Sequence, residues 1–170
     1  MDNSTLFYEK QQLYLPWLWL ILALVNGLFI YAIVQQTLTG IPFGDKPMPT
    51  IGLIIIEVIF LAITIMLITA KLHTKITATG ILVKFSPFHY GYKYFQWKQI
   101  SKCYVRNFSP IGDFGGWGIR YGIMGKGKGY IVSGNVGLQL EMNGKKTLLI
   151  STKQPEQINA LITQLGQLKT

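Results

Sequence analysis

Two long apolar runs constrain this chain more than any other feature. Leu13–Val34 (LYLPWLWLILALVNGLFIYAIV) extends 22 residues without a charge, and Ile51–Ala70 (IGLIIIEVIFLAITIMLITA) extends 20 residues with Glu57 as its one charge. A helix rises 1.5 Å per residue, so about 20 residues match the ~30 Å hydrocarbon core of a bilayer. Neither run carries a polar stripe, which argues against helices lying flat on a surface. Two buried helices of a soluble core would need covering layers that the remaining residues cannot supply. Trp17, Trp19 and Tyr31 suit the interfacial aromatic belts. Pro16 falls in a first turn, where a missing N–H costs little. A cleaved leader is not expected: the apolar stretch is too long, acidic and basic residues both precede it, and no small-x-small site follows.

The connector Gln35–Thr50 holds Gly40, Pro42, Gly44, Pro47 and Pro49, which is loop chemistry. Lys71, Lys75 and Lys84 follow the second run, whereas the connector offers Lys46 alone. The positive-inside rule then predicts cytoplasmic termini and an external connector. Within the runs, counting depth from the outer ends brings Asn26 and Glu57 to within about 3 Å of each other. The expectation is an Asn26–Glu57 hydrogen bond, with Gly27 allowing close helix approach. The alternative makes Glu57 a proton or cation ligand of a transport path, which two spans enclose only if several copies form a homo-oligomer.

From Lys71 onward the periodicity changes and the charge inverts. Residues 71–170 hold fourteen Lys/Arg against Asp113, Glu141 and Glu156, a net +11, whereas residues 1–70 carry −2. Short β-branched and aromatic runs are expected as strands at 72–77, 80–85, 92–97, 100–107, 118–123, 129–133, 136–142 and 145–151. Asn143-Gly144 is the strongest hairpin signal. Pro155–Leu168 then places Ile158, Leu161, Ile162, Leu165 and Leu168 on one helical face, with Pro155 and Glu156 marking its start. The fold class expected is α+β: a transmembrane hairpin over residues 1–70, then about seven antiparallel strands and a C-terminal helix over 71–170.

This order resembles bacterial membrane-anchored proteins with a pleckstrin-homology-like domain. The residues that carry the likeness are Thr79-Gly80-Ile81, Trp97 before Ile100, Gly115-Gly116-Trp117-Gly118-Ile119-Arg120, Gly134-Asn135-Val136-Gly137-Leu138 and Pro155-Glu156. The resemblance implies a small, partly open barrel of two packed sheets with one end plugged by the C-terminal helix. It also implies a bacterial inner membrane and no catalytic residues. The eukaryotic relatives bind phosphoinositides through a basic first hairpin. Here Lys75 and Lys84 flank only Ala78-Thr79-Gly80, so that property is not carried over.

Catalytic chemistry finds few candidates. Cys103 lies mid-strand, where a small buried hydrophobe is the default, and a lone cysteine excludes an intrachain disulfide and a paired-thiolate zinc site. His73 and His89 have no acidic or cysteine cluster nearby in sequence. The Gly112–Gly118 run lacks the Gly-Lys-Ser/Thr ending of a phosphate loop. No catalytic residue, cofactor or metal is expected. Tyr90, Tyr92 and Tyr94 alternate beside Lys93 as in single-strand binders, but a basic domain tethered beside a membrane favours lipid over nucleic acid. The expected lipid or partner contacts are Lys126 and Lys128 of a mobile glycine loop, with Trp117 and Arg120. The function expected is a non-enzymatic interaction module docking a protein partner or anionic lipid. The alternative is a small subunit of a transport assembly that uses Glu57.

Overall fold

The computed structural model describes residues 4–13, 15–122, 125–144 and 146–168. The chain divides into two compact units. One comprises Tyr14–Thr69, and the other combines Met1–Leu13 with Ala70–Thr170. The helical unit is therefore an insertion, and the expected boundary at residue 70 needs correction because residues 4–13 belong with the sheets.

In the helical unit, α1 (Pro16–Thr39) and α2 (Thr50–Thr69) are both long and apolar enough to cross a membrane. Pro16 opens α1, and Gly40 closes it with φ 69°, a left-handed conformation that favours glycine. Only 11% of the most apolar window of either helix is buried, whereas the core helix of a soluble fold is mostly buried. Gln36 Nε2 donates to Thr50 Oγ1 at 2.9 Å, the Phe29 and Phe60 rings stack at 5.6 Å, and Asn26 Nδ2 donates to Thr64 Oγ1 at 3.2 Å. These contacts set the register of the hairpin.

The second unit holds nine strands among the described residues, not about seven. A four-stranded antiparallel sheet has the order β1 (Thr5–Gln12), β2 (Lys71–Thr77), β3 (Gly80–Ser86), β4 (Lys93–Gln96). A 3₁₀ turn at Trp97–Gln99 leads to the second sheet. Its strands are β5 (Ile100–Asn107), β6 (Gly118–Tyr121), β7 (Lys128–Ile131), β8 (Val136–Met142) and β9 (Thr147–Ser151), in the order β5-β8-β9-β7-β6. β7 and β9 pair in parallel, which corrects the all-antiparallel expectation. The two sheets do not close into a barrel. Ile123 and Lys145, expected at strand ends, lie outside the described residues.

Side-chain alternation builds the core. Leu72, Ile76, Ile81, Val83 and Phe85 of the first sheet are buried, and the Phe85 ring meets Tyr130 of β7 at 6.4 Å. On the next residue of β7, Ile131 turns the other way and packs with Leu149, Phe108 and Phe114 beneath the short helix α3 (Pro110–Phe114). The C-terminal helix α4 (Pro155–Gln164) packs on β5 and β8 through the fully buried Ile158 and Ile162. Leu161, on the same expected face, is half-buried.

β1 is the element the hydrophobic pattern hides. It exposes Leu6 and Tyr8 while burying Glu9 and Gln11. Buried polar groups require partners, and both have them. Glu9 accepts from Thr152 Oγ1 at 2.7 Å and from the Lys153 N–H at 2.8 Å. Gln11 donates to the Ser151 carbonyl at 2.6 Å and accepts from Ser133 Oγ at 3.1 Å. These bonds join the first strand to the far side of the domain, at the entrance to α4.

Candidate functional site

The outer face of the four-stranded sheet gathers an unneutralised positive charge. Period-2 alternation turns Tyr8 and Lys10 of β1, Lys71, His73 and Lys75 of β2, Leu82 and Lys84 of β3, and Tyr94 of β4 to this side. The register lines them up in rows: Tyr8–Lys75–Leu82–Tyr94, then Lys10–His73–Lys84, with Lys71 at the end. Neighbouring strands are about 5 Å apart and same-face residues about 7 Å apart along a strand, so four lysines ring His73. That spacing is inside the ~8 Å Debye length of physiological salt, so their fields add. Among the described residues of this sheet the one carboxylate is Glu9, which points inward.

The aromatic neighbours fix the centre of this face. Tyr8 Oη and His73 Nδ1 share a hydrogen bond of 2.7 Å, and Lys75 Nζ lies 4.8 Å from the Tyr92 ring centroid and 5.5 Å from that of Tyr8. Partial burial holds the His73 pKa below its ordinary value, reinforced by Lys10, Lys84, Lys71 and Lys75. The histidine is therefore neutral near pH 7 and gains a fifth positive charge as the solution becomes acid.

The expected contact residues lie instead around the β6–β7 hairpin. Trp117 packs against the Phe108–Phe114–Ile131–Leu149 cluster, and Arg120 Nε donates to the Trp117 carbonyl at 2.8 Å. Lys126 Nζ bonds Asp113 Oδ1 at 2.6 Å, and Lys128 Nζ lies 5.2 Å from the Tyr130 ring centroid and 5.5 Å from that of Tyr121. The Lys126 hydrogen bond and the Ser109 N–H hold the Asp113 carboxyl below its usual range. The hairpin loop is tied at both ends: Gly122 N–H donates to Gly127 O at 2.6 Å, and Thr147 Oγ1 to Lys126 O at 3.0 Å. Of this group, Lys126 is already paired and Trp117 belongs to a core.

The helical unit overturns the Asn26–Glu57 pairing. Asn26 Nδ2 donates to the Leu22 carbonyl at 2.6 Å and to Thr64 Oγ1, while Glu57 is 8% exposed and neither of its oxygens has a hydrogen-bond partner among the described residues. The depth count failed because α1 continues to Thr39, five residues past the apolar run. That extension shifts Asn26 to the level of Thr64, and Glu57, seven residues from Thr64 on α2, sits about 10 Å away along the axis. Gly27 likewise does not serve close approach, since a Cβ there would meet nothing within 4 Å.

Two further residues of the second sheet belong to its structure. Glu141 accepts from Tyr104 Oη at 3.0 Å, and burial, followed by that bond, raises the tyrosine pKa. Cys103 is buried in β5. Compared with known proteins, the chain matches no family model and no curated sequence. The lysine ring had a signal in the sequence, Lys71-x-x-x-Lys75 and Lys84 at strand spacing. Its fourth member, Lys10, comes from a strand the pattern concealed.

Proposed function

We propose that this chain is a non-enzymatic integral membrane protein that presents a basic, pleckstrin-homology-like domain at the cytoplasmic leaflet of a bacterial inner membrane. There the outer face of its four-stranded sheet docks on anionic lipid headgroups. The observation that carries this reading is the ring of Lys10, Lys71, Lys75 and Lys84 around His73, with no carboxylate on that face among the described residues. A basic residue near an anionic leaflet contributes about 1 kcal/mol, so four together favour the docked orientation by roughly two to three orders of magnitude. Chain connectivity favours lipid over a soluble acidic partner: Lys71 is two residues from the end of α2, and Lys10 is six residues from the start of α1. The family assignment is supported by two sheets followed by a C-terminal helix, while the parallel β7–β9 pair and the open sheets depart from the expected barrel.

The test is lysine acylation of the full-length protein in vesicles, mapped by mass spectrometry. Lys10, Lys71, Lys75 and Lys84 should react several-fold more slowly in anionic than in neutral bilayers, with high salt abolishing the difference. Lys98 and Lys102, exposed elsewhere on the domain, should react alike in both. Equal reactivity of the four lysines in the two membranes refutes the lipid reading. A second reading, a subunit of a transport assembly, rests on the buried Glu57 carboxyl without a partner. Glu57→Gln and Glu57→Leu separate the two, because only a transport role makes both substitutions abolish function in cells.

A further inference from the structure

The β3–β4 connection, Pro87–Tyr92, is the most aromatic exposed segment of the sheet unit. Tyr90 is 102% exposed and Phe88 51%, with Tyr92 and Tyr94 also at the surface. Single exposed apolar residues are ordinary, but the loop that carries this group is pinned to the domain by His89. His89 N–H donates to the Phe85 carbonyl at 2.8 Å, and His89 Nδ1 accepts from the Phe85 N–H at 3.1 Å. The His89 ring meets Tyr130 edge-on at 5.3 Å. His89 is thus pinned toward the domain, Tyr90 is displayed to the outside, and Phe88 is half-exposed with its ring 5.9 Å from that of Phe85.

Register gives this loop its meaning. Lys71 is paired with both Gln12 and Ser86, so the loop after Ser86 leaves the sheet at the same end as the two connections to α1 and α2. Only Ala70 stands between β2 and α2, and three residues stand between β1 and α1. The opposite end of the sheet carries the Ala78-Thr79 turn, with no aromatic residue in it. Aromatic rings with polar tips partition into the headgroup region of a bilayer whatever its charge.

We propose that the Phe88–Tyr90 loop is a third membrane attachment, inserting its rings into the lipid interface and fixing how the basic sheet face meets the leaflet. This rests on the membrane-anchored reading above but not on the lysines. Ring insertion needs no anionic lipid, whereas docking of the lysine face does.

The experiment places an environment-sensitive fluorophore on Tyr90→Cys in the full-length protein in nanodiscs, with Ala78→Cys as the reference at the far end of the sheet. Native Cys103 is buried and serves as the labelling blank. Tyr90 is fully exposed, so its replacement leaves the core intact. The Tyr90→Cys label should shift to the blue and be quenched several-fold more by a shallow lipid-borne quencher than by aqueous iodide. The Ala78→Cys label should show the reverse. The Tyr90→Cys result should hold in phosphatidylcholine alone and at about 0.5 M salt, where the Debye length is only a few ångströms. A label quenched chiefly by iodide overturns the proposal, since the loop then faces water. A blue shift without lipid quenching also overturns it, because a protein then covers the loop. Lipid quenching confined to anionic membranes overturns it as an independent attachment. If the lysine footprint shows no lipid dependence while Tyr90→Cys is still quenched by lipid, the docking face fails and the loop stands.

Discussion

Replacing residues 14–69 with an Asn-Gly turn should yield a folded, water-soluble domain, whereas the simple fragment 71–170 should not be stable. The structure explains the difference, because Gln12 and Lys71 are direct antiparallel partners, so the next residues, Leu13 and Ala70, start close enough for a two-residue turn to join them. The fragment 71–170 discards β1. It loses the buried Phe7 side chain, worth about 1.5–3 kcal/mol. It also strips Thr152, Ser151 and the Lys153 N–H of their bonds to Glu9 and Gln11, and each group left buried without a partner costs about 1–3 kcal/mol. The combined loss is about 5–12 kcal/mol, comparable with the whole stability of an ordinary domain at roughly 5–15 kcal/mol. At about 4–8 °C per kcal/mol for a domain near this size, the joined chain should melt at least 20 °C above the fragment. Thermal unfolding followed by circular dichroism at 218 nm (about the β-sheet minimum) decides it. Equal melting of the two chains would show that the bonds from β1 contribute nothing, and the argument for an inserted hairpin would fall.

Ile162→Asp in the joined domain should abolish cooperative unfolding, since an unpaired carboxylate would enter a fully buried contact, while Leu161→Asp at the half-buried neighbour should cost far less. Gly80→Ala should destabilise by about 1–3 kcal/mol, because a Cβ there would collide with the Phe95 carbonyl, a backbone atom that cannot rotate away; chemical denaturation measures the shift. His73 and His89 both have pKa values lowered, chiefly by burial and then by nearby lysines, so the unfolded chain binds more protons below the ordinary value of 6.5. Stability in detergent should therefore be full above about pH 6.5 and decline as the pH falls through that value, and His73→Gln should flatten part of the decline. On anionic vesicles the same protonation adds a fifth charge, so the acylation protection of Lys75 should deepen at acid pH, and a pH-independent footprint would remove His73 from the docking face. A cysteine at Gly44 should react with an impermeant reagent from outside intact cells, and labelling only after lysis would reverse the orientation.

Some elements were legible in the sequence because their cause is local. The two membrane-length helices follow from uninterrupted apolar length, and eight of the strands follow from β-branched runs bounded by Gly, Pro and Asn. The α4 helix follows from Pro155 and the spacing of Ile158 and Ile162. The lysines of β2 and β3 were legible as charge but not as a site, because the sequence does not say which residues share a face across strands. Lys126 of the β6–β7 loop was likewise legible as charge alone, since nothing local links it to Asp113 thirteen residues earlier.

Amino-acid order alone thus determined the apolar hairpin, the β-rich basic segment and the closing helix, each governed by the period of a single element. Tertiary structure decided what depends on partners distant in the chain. It buried Glu9 and Gln11 by supplying Thr152, Lys153 and Ser151 more than 130 residues away, and so turned an unpromising polar stretch into the edge strand of a sheet. It also carried α1 five residues beyond its apolar run, where Gln36 bonds Thr50, and thereby moved Asn26 from Glu57 to Thr64. At β1 the long-range hydrogen bonds outweighed the hydrophobic pattern, because a buried polar group without a partner costs more than an apolar one left exposed.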